Sequence, residues 1–359
     1  MRVFKFLAVT VILLIVILIG VGLYIRSYYY NAIDEQNSDS PEVVSVEITA
    51  GEDIKSIATK LKDKGLIKNS DLFYWYVRIE KIGSKIQAGN FNIPTNLSMK
   101  EVAEVIQKAA GDDVWIRFQE GLRGDEIAEI LEIQFLQIEN TQFSKIEFLD
   151  IVYNPDNYDL NSSLLRYKPA GNSLEGFIYP DTYSVRVDIS TKEVVELFLQ
   201  TFEEKITQQN TDKLEETEEG FYNSIVLASI VEREGRNDEE RKRIADILLS
   251  RLREGLEDGT KLLQADATLL YLQKDWETPV TQELKAMNDP YNTYINPGLP
   301  PTPISNPGLE SIMAVVNPVE NEYLYYLHGN DGEIRYARSF TEHENNVRCY
   351  INENESFCP

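Results

Sequence analysis

Histidine and cysteine are scarce in this chain, whose 359 residues include only two of each. The histidines are His328 and His343, and the cysteines are Cys349 and Cys358. A metal centre needs three or four suitable ligands, so we predict no metal site and no cofactor. Neither histidine stands in a pattern that indicates catalysis. The two cysteines lie close together in the chain, which leaves a local disulfide open if they are outside the cytoplasm.

Positive charge is also scarce, with 35 Lys and Arg against 59 Asp and Glu and a formal net charge of −24. Nucleic-acid backbones are bound through basic patches, so this composition excludes nucleic acid as a partner. It also argues against charge-driven docking on anionic lipid. We expect a ligand that is neutral, or that is held by hydrogen bonds and stacking. The chain is 43% hydrophobic, which is typical of a folded protein.

One long apolar run stands near the amino terminus, FLAVTVILLIVILIGVGLYI at residues 6–25, without any charge inside it. Twenty helical residues span about 30 Å, the thickness of the bilayer hydrocarbon. A cleaved signal peptide is the alternative, but its apolar core is usually about 7–15 residues and ends in a small-x-small site. The pattern favours a retained anchor. Arg2 and Lys5 favour a cytoplasmic amino terminus, although Arg26 opposes them.

The stretch after a polar tether alternates short strand and helix patterns. VVSVEITAG reads as a strand, Asp53–Gly65 and about Asn69–Ile82 read as helices, and QAGNFNIP reads as a second strand. Ser98 and Glu101 form a capping-box pattern before a helix at Met99–Ala109. These elements predict a small α+β module, which is either a glycan binder or a plain spacer.

Two helices later in the chain frame the candidate site. FYNSIVLASIVEREG, at 221–235, is an apolar helix in which Leu227, Ile230, Val231 and Glu234 share one face. Glu232 is rotated about 200° from Glu234. Gly235 ends the helix, and Asn237 or Asp238 caps the next one. The acidic run at 212–220 is predicted to be a solvated loop.

Glu234 is the candidate general acid. Both its place in the last turn of a helix and its burial disfavour a negative charge, and a general acid at neutral pH needs the resulting raised pKa. A glutamate at a helix end is more often an ordinary surface charge, and spacing alone does not decide between these interpretations.

Several blocks of sequence resemble the YceG-like endolytic murein transglycosylases. They are LEGFIYPDTY at 174–183, LASIVERE at 227–234, LLQADATLLY at 262–271, YNTYINPGLPPTPISNPGLESIMAVVNP at 291–318, and EYLYYLHGNDGEIRYARSFTEHENNV at 322–347. VEITAGEDIKSIATKL, at 46–61, resembles the LysM-like domain of the same enzymes. Two departures are Gly235, where the family usually has Ser, Thr or Ala, and Ala265 and Ala267 in the family's Q-[ST]-D-P-T segment.

The resemblance implies an α+β fold, with an N-terminal transmembrane helix, a small LysM-like module and a larger mixed α+β catalytic domain. The implied order is a cytoplasmic tail at 1–5, the transmembrane helix at 6–26, a linker at 27–43, the LysM-like module at 44–110, the catalytic domain at 111–348 and a tail at 349–359. Residues from about 27 onward would be extracytoplasmic, on a single-pass protein of the cell membrane.

The resemblance also implies a reaction. Glu234 would be the catalytic acid of a lytic transglycosylase that cleaves the bond between N-acetylmuramic acid and N-acetylglucosamine in nascent strands and leaves 1,6-anhydro ends. The implied substrate-binding residues are Gln264, Asp266, Thr268, Tyr291, Asn292, Thr293 and Tyr294. Asp266 could instead stabilise its loop, and for Glu175 and Tyr179 packing is the stronger interpretation. The implied partners are peptidoglycan strands and peptidoglycan synthases.

Two other functions remain open at this level. A non-catalytic wall-binding scaffold at the membrane would not need Glu234. A hydrolytic muramidase would need a second carboxylate to hold water, and Asp266 is the candidate.

Overall fold

A computed structural model describes residues 29–36, 38, 42–107, 113–136, 138, 141–353, 356 and 358. The predicted anchor at 6–26 lies outside these residues. Among the described residues, no helix is both long enough and apolar enough to cross a membrane. The architecture mixes helices with three two-stranded antiparallel sheets, which confirms the α+β class.

Six strands and thirteen α-helices lie wholly within the described part of the chain. The strands are β1 (Val43–Ile48), β2 (Gly89–Pro94), β3 (Asp113–Arg117), β4 (Thr182–Arg186), β5 (Tyr325–His328) and β6 (Ile334–Ala337). The helices are α1 (Ile54–Asp63), α2 (Ser70–Ile79), α3 (Met99–Val105), α4 (Gly124–Phe135), α5 (Lys145–Tyr153), α6 (Thr191–Lys205), α7 (Gln208–Glu216), α8 (Gly220–Glu234), α9 (Asp238–Arg253), α10 (Asp266–Gln273), α11 (Gln282–Lys285), α12 (Leu309–Val316) and α13 (Phe340–Tyr350).

The chain divides into two compact units. The first runs to Arg117 and adds 133–141 and 182–188. In it, β1 and β2 pair with Val46 opposite Phe91 and enclose α1 and α2 in a β-α-α-β order. Asp53 caps α1 and accepts hydrogen bonds from the backbone of Lys55 and Ser56, which is why the helix begins there.

The capping box predicted from Ser98 and Glu101 is present at the start of α3. Each residue satisfies a backbone N–H of the other, so two otherwise unpaired donors at the helix start are bonded. Strands β3 and β4 form the second sheet of this unit, with Trp115 opposite Ser184.

The second unit comprises 118–132, 142–181 and the chain from 189. Its centre is α8, which contacts α7, α9, α10 and α12. Residues 224–231 of α8 are all buried, so these two turns of the helix are enclosed on every side. The single apolar face that the sequence suggested was therefore too narrow an interpretation.

The acidic run at 212–220 is not the solvated loop that its charge predicts. Its first half completes α7, because Leu214 is fully buried and Thr211 is 4% exposed, which fixes one face of a helical turn against the core. At the carboxyl end of the chain, Cys349 and Cys358 form a disulfide.

Candidate active site

Glu234 is the last residue of α8, and Gly235 follows as the cap, with its backbone N–H bonded to the carbonyl of Val231. Gly235 leaves no room for a side chain there, since a Cβ would lie 2.7 Å from Cγ of Arg241. Asn237 caps the next helix and accepts a hydrogen bond from the backbone of Glu240. The chain therefore turns sharply just after Glu234, as the sequence predicts.

The carboxyl group of Glu234 is desolvated, although the residue keeps part of its surface exposed. Burial raises its pKa to about 7, and repulsion from Asp266 acts in the same direction. The backbone N–H of Ala267, in the first turn of α10, donates to Oε1 of Glu234 at 3.4 Å. This bond and the Tyr326 hydroxyl oppose the rise in pKa because both favour the charged form.

Glu232 points to another side of the helix end and has different partners. Its Oε2 accepts from the backbone N–H of Gly308 at 2.9 Å, and its Oε1 accepts from Nη2 of Arg241 at 3.0 Å. The Glu232 side chain is only 4% exposed. The two glutamates thus occupy separate environments, and Glu232 is engaged in holding α8, α9 and the start of α12.

Asp266 and Tyr294 meet beside Glu234. The Tyr294 hydroxyl donates to Oδ1 of Asp266 at 2.5 Å, and Nζ of Lys285 lies 3.6 Å from the same oxygen. The ammonium of Lys285 also lies 4.4 Å from the centre of the Tyr294 ring. Asp266 is exposed and Tyr294 partly exposed, so both remain accessible to a ligand.

Gln264 and Tyr291 are also partly exposed. Gln264 takes a left-handed backbone conformation, with φ of 49°, and its N–H bonds to the carbonyl of Thr293 at 3.1 Å. The Tyr291 ring lies 5.2 Å from that of Tyr271, and its hydroxyl is 2.6 Å from Oγ1 of Thr302.

Three residues of the predicted binding set have no exposed surface to offer. Thr268 and Asn292 are fully buried and Thr293 is 1% exposed. Oγ1 of Thr268 and Oγ1 of Thr293 lie 3.0 Å apart, and the amide of Asn292 donates to the carbonyls of Lys285 and Met287. Thr268 and Thr293 thus bring the first turn of α10 against the 292–293 segment, and Asn292 fixes that segment to residues 285–287.

Glu175 and Tyr179 pack in the interior, as the packing interpretation expects. Glu175 is fully buried and accepts from the backbone N–H of Gly124 at 2.9 Å and from the amide of Asn306 at 2.7 Å. Desolvation raises the pKa of Glu175 to about 8. Tyr179 is 6% exposed.

Sequence reasoning missed Arg251 and Tyr326. Burial desolvates the Tyr326 hydroxyl, which interacts with Glu234, so its pKa is raised well above the usual value. Arg251 stands on the same face of α9 as Ile247 and Leu248, both fully buried. A charged residue on an apolar stripe is the signal that could have marked it. Within the described ranges, no group of three or more His, Cys, Asp or Glu residues is arranged to hold a metal ion.

Comparison with known proteins gives one consistent result. The curated endolytic murein transglycosylase of Bacillus subtilis is 25% identical over 90% of this chain and 89% of its own length. That of Streptococcus pneumoniae is 23% identical over 97% of this chain, which spans 66% of the relative. A crystal structure of a YceG-like protein from Listeria monocytogenes matches with a TM-score of 0.55 and 27% identity, over 85% of this chain and 99% of that one. The model of the YceG-like family matches residues 46–349, and the chain therefore belongs to this family.

Proposed function

We propose that this protein is a peptidoglycan lytic transglycosylase, an enzyme that cuts within glycan strands and acts in cell-wall assembly. The observation that carries the proposal is the carboxyl group of Glu234, whose pKa burial raises to about 7. Such a group keeps its proton near neutral pH and can deliver it to a leaving group. The relatives of this protein in Bacillus subtilis and Streptococcus pneumoniae are named endolytic murein transglycosylases, which supports the same assignment here.

The proposed reaction starts with transfer of the Glu234 proton to the glycosidic oxygen between N-acetylmuramic acid and N-acetylglucosamine. The bond from C1 to that oxygen breaks, its electron pair stays on the oxygen, and N-acetylglucosamine leaves with a hydroxyl group. The Glu234 carboxylate then takes the proton of the C6 hydroxyl, whose oxygen bonds to C1. The product is a 1,6-anhydro end, Glu234 is protonated again, and no water is consumed. The attack is efficient because both groups belong to one sugar.

The neighbouring residues take one of two roles in this proposal. Gln264, Asp266, Tyr291 and Tyr294 contact the sugars, since each retains exposed surface and offers a hydrogen-bonding group or a ring face. Thr268, Asn292 and Thr293 act from behind by fixing the loops that carry those residues. The Tyr294 hydroxyl and Lys285 hold Asp266, so this carboxylate is less available to position water than a hydrolytic muramidase requires.

The proposal extends to the location of the protein and to the roles of the other parts of the chain. We propose that residues 6–26 anchor the protein in the cell membrane, with the chain from about residue 27 outside the cytoplasm, and that 111–348 form the catalytic domain. The β-α-α-β order of β1, α1, α2 and β2 supports a LysM-like module at 44–110, with glycan binding or spacing as its role. Peptidoglycan synthases are the proposed protein partners.

Mass analysis of digested peptidoglycan tests the reaction. Purified glycan strands incubated with the full-length protein should yield fragments that end in 1,6-anhydro-N-acetylmuramic acid. These fragments are about 18 Da lighter than the hydrolytic equivalents because no water is added. Reducing ends would instead identify a hydrolytic muramidase. Strands that remain intact would favour a non-catalytic wall-binding scaffold.

A further inference from the structure

Arg251 is a buried cation that lies between the two segments flanking Glu234. The residue is 4% exposed. Its Nε donates to the carbonyl of Leu324 at 2.7 Å, and its Nη1 donates to the carbonyl of Leu263. Burial of a charge is costly unless the surroundings compensate, and main-chain carbonyls do part of this here. A guanidinium suits the task because its rigid fork reaches two acceptors at once.

Each of the two tethered segments brings one polar group to Glu234. Leu324 lies two residues before Tyr326, whose hydroxyl interacts electrostatically with the Glu234 carboxyl group. Leu263 lies four residues before Ala267, whose backbone N–H donates to Oε1 of Glu234 at 3.4 Å. Arg251 therefore links β5 to the start of α10 at the point where both meet the carboxyl group.

We propose that Arg251 and Tyr326 are positioning residues that stabilise the carboxylate form of Glu234, the form in which this group must act as a base halfway through the reaction. Arg251 does so by holding both segments in place and by its own positive charge, and Tyr326 does so through its hydroxyl. The role of these residues in catalysis rests on the proposed function. Their effect on the ionisation of Glu234 does not, because it depends only on contacts within the folded protein.

The groups that face Glu234 act in opposite directions. Asp266, from α10, disfavours the carboxylate, whereas Arg251, from α9, and Tyr326, from β5, favour it. Arg233, on the same helix, and Tyr294 also interact with Glu234. Desolvation and the repulsion from Asp266 both raise the pKa of Glu234, and Arg251 and Tyr326 oppose them. Without Arg251 or Tyr326, Glu234 should therefore hold its proton more tightly.

A direct titration of Glu234 in the full-length protein tests the proposal. Glutamate carrying ¹³C in the side-chain carboxyl would be followed by NMR against pH, and the Glu234 signal would be assigned by its loss in Glu234→Gln. The variants are Tyr326→Phe and Arg251→Met. The matched controls are Tyr325→Phe, because the Tyr325 hydroxyl bonds to Glu257, and Arg253→Met, because the Arg253 side chain is 44% exposed.

We expect the Glu234 pKa to rise by about one unit in Tyr326→Phe, given the usual strength of a hydrogen bond to a charged group, and to rise in Arg251→Met. Both controls should titrate like the parent protein. A Tyr326→Phe curve that coincides with that of Tyr325→Phe would overturn the inference, and this comparison decides the matter even if Arg251→Met does not fold. Failure of the parent protein to release anhydro ends would instead reject the proposed function, and the titration would be unaffected.

The pH profile of activity gives a second readout that a merely structural role would not produce. In Tyr326→Phe the alkaline limb of kcat/KM should move to higher pH by the same interval as the titration of the free protein. The maximal kcat should fall because the carboxylate is a less stable product of proton transfer. An unchanged alkaline limb with a lower kcat would contradict the proposal.

Discussion

Glu232 and Glu234 lie two residues apart in the last turn of α8, yet their carboxyl groups bond to different parts of the protein. Glu232 binds Arg241 and the backbone of Gly308, whereas Glu234 accepts from the backbone of Ala267. The helical rotation of about 200° between them explains the separation. One carboxylate is fixed by a cation and holds the fold, and the other is left free to exchange a proton.

Glu232→Ala should destabilise the protein without removing an acid from the site. It leaves the N–H of Gly308 without its partner and removes the most buried of the three carboxylates that face Arg241, since the Glu232 side chain is only 4% exposed. Breaking a buried pair costs about 3–5 kcal/mol. Urea unfolding measures the loss. The control is Glu239→Ala, which breaks a pair whose glutamate is 75% exposed and should cost about 0–1 kcal/mol. Equal losses in the two variants would contradict the assignment.

Asp266→Asn should lower the pKa of Glu234, because the charge of Asp266 is one cause of its rise. An acid with a lower pKa loses its proton at lower pH, so the alkaline limb of kcat/KM should move toward acid pH. The pH profile of the variant, compared with that of Asp275→Asn, checks this shift. A limb that stays in place would show that Asp266 does not act on Glu234 electrostatically.

Glu175 should make the protein less stable as the pH rises. Desolvation raises the pKa of Glu175 in the folded state from 4.5 to about 8, so the folded state holds this proton more tightly than the unfolded state does. The associated stability is present below about pH 4.5 and is lost as the pH rises to about 8. Glu175→Gln removes this dependence. The free energy of unfolding of the variant, relative to that of the parent, should therefore be higher at pH 8 than at pH 5 by about 2 kcal/mol or more. Urea unfolding at both pH values measures it, and equal differences would contradict the account.

Gly176→Ala should destabilise the second unit. Gly176 has a φ of +86°, and an added Cβ would lie 2.6 Å from Cγ of Pro303. Gly171→Ala is the matched control, since Gly171 has a φ of +82° with nothing within 4 Å of the added atom. The control should lose about 1–2 kcal/mol from backbone strain, and Gly176→Ala should lose more. Similar melting temperatures for the two variants would rule out the close contact with Pro303.

Local signals in the sequence predicted where several helices begin and where α8 ends. Ser98 and Glu101 marked the start of α3, and Gly235 with Asn237 marked the turn after Glu234, because capping chemistry involves residues only a few positions apart. The raised pKa of Glu234 also followed from its place at a helix end and from burial. The strand and helix patterns predicted a small α+β module near the amino terminus, whereas the α+β class of the whole chain came from the family resemblance.

What the sequence did not reveal depends on contacts between distant residues. Arg251 bonds to carbonyl groups 12 and 73 positions away, and main-chain acceptors have no side-chain pattern by which to find them. The partners of Glu232 were also missed, because Arg241 and Gly308 lie 9 and 76 positions away. The contact between the hydroxyls of Thr268 and Thr293 was not foreseen either, because 25 positions separate the two residues.

The central claim is that the Glu234 side chain carries the proton for bond cleavage. Its most direct test is the rate of release of 1,6-anhydro ends by Glu234→Gln, measured by mass spectrometry with the parent protein and Glu239→Gln as references. Glutamine keeps the size of the side chain but has no proton to give, so we expect the rate to fall by about 10²–10⁴-fold with the thermal unfolding unchanged, while Glu239→Gln stays at the parent rate. A folded Glu234→Gln protein that releases anhydro ends at the parent rate would contradict the account.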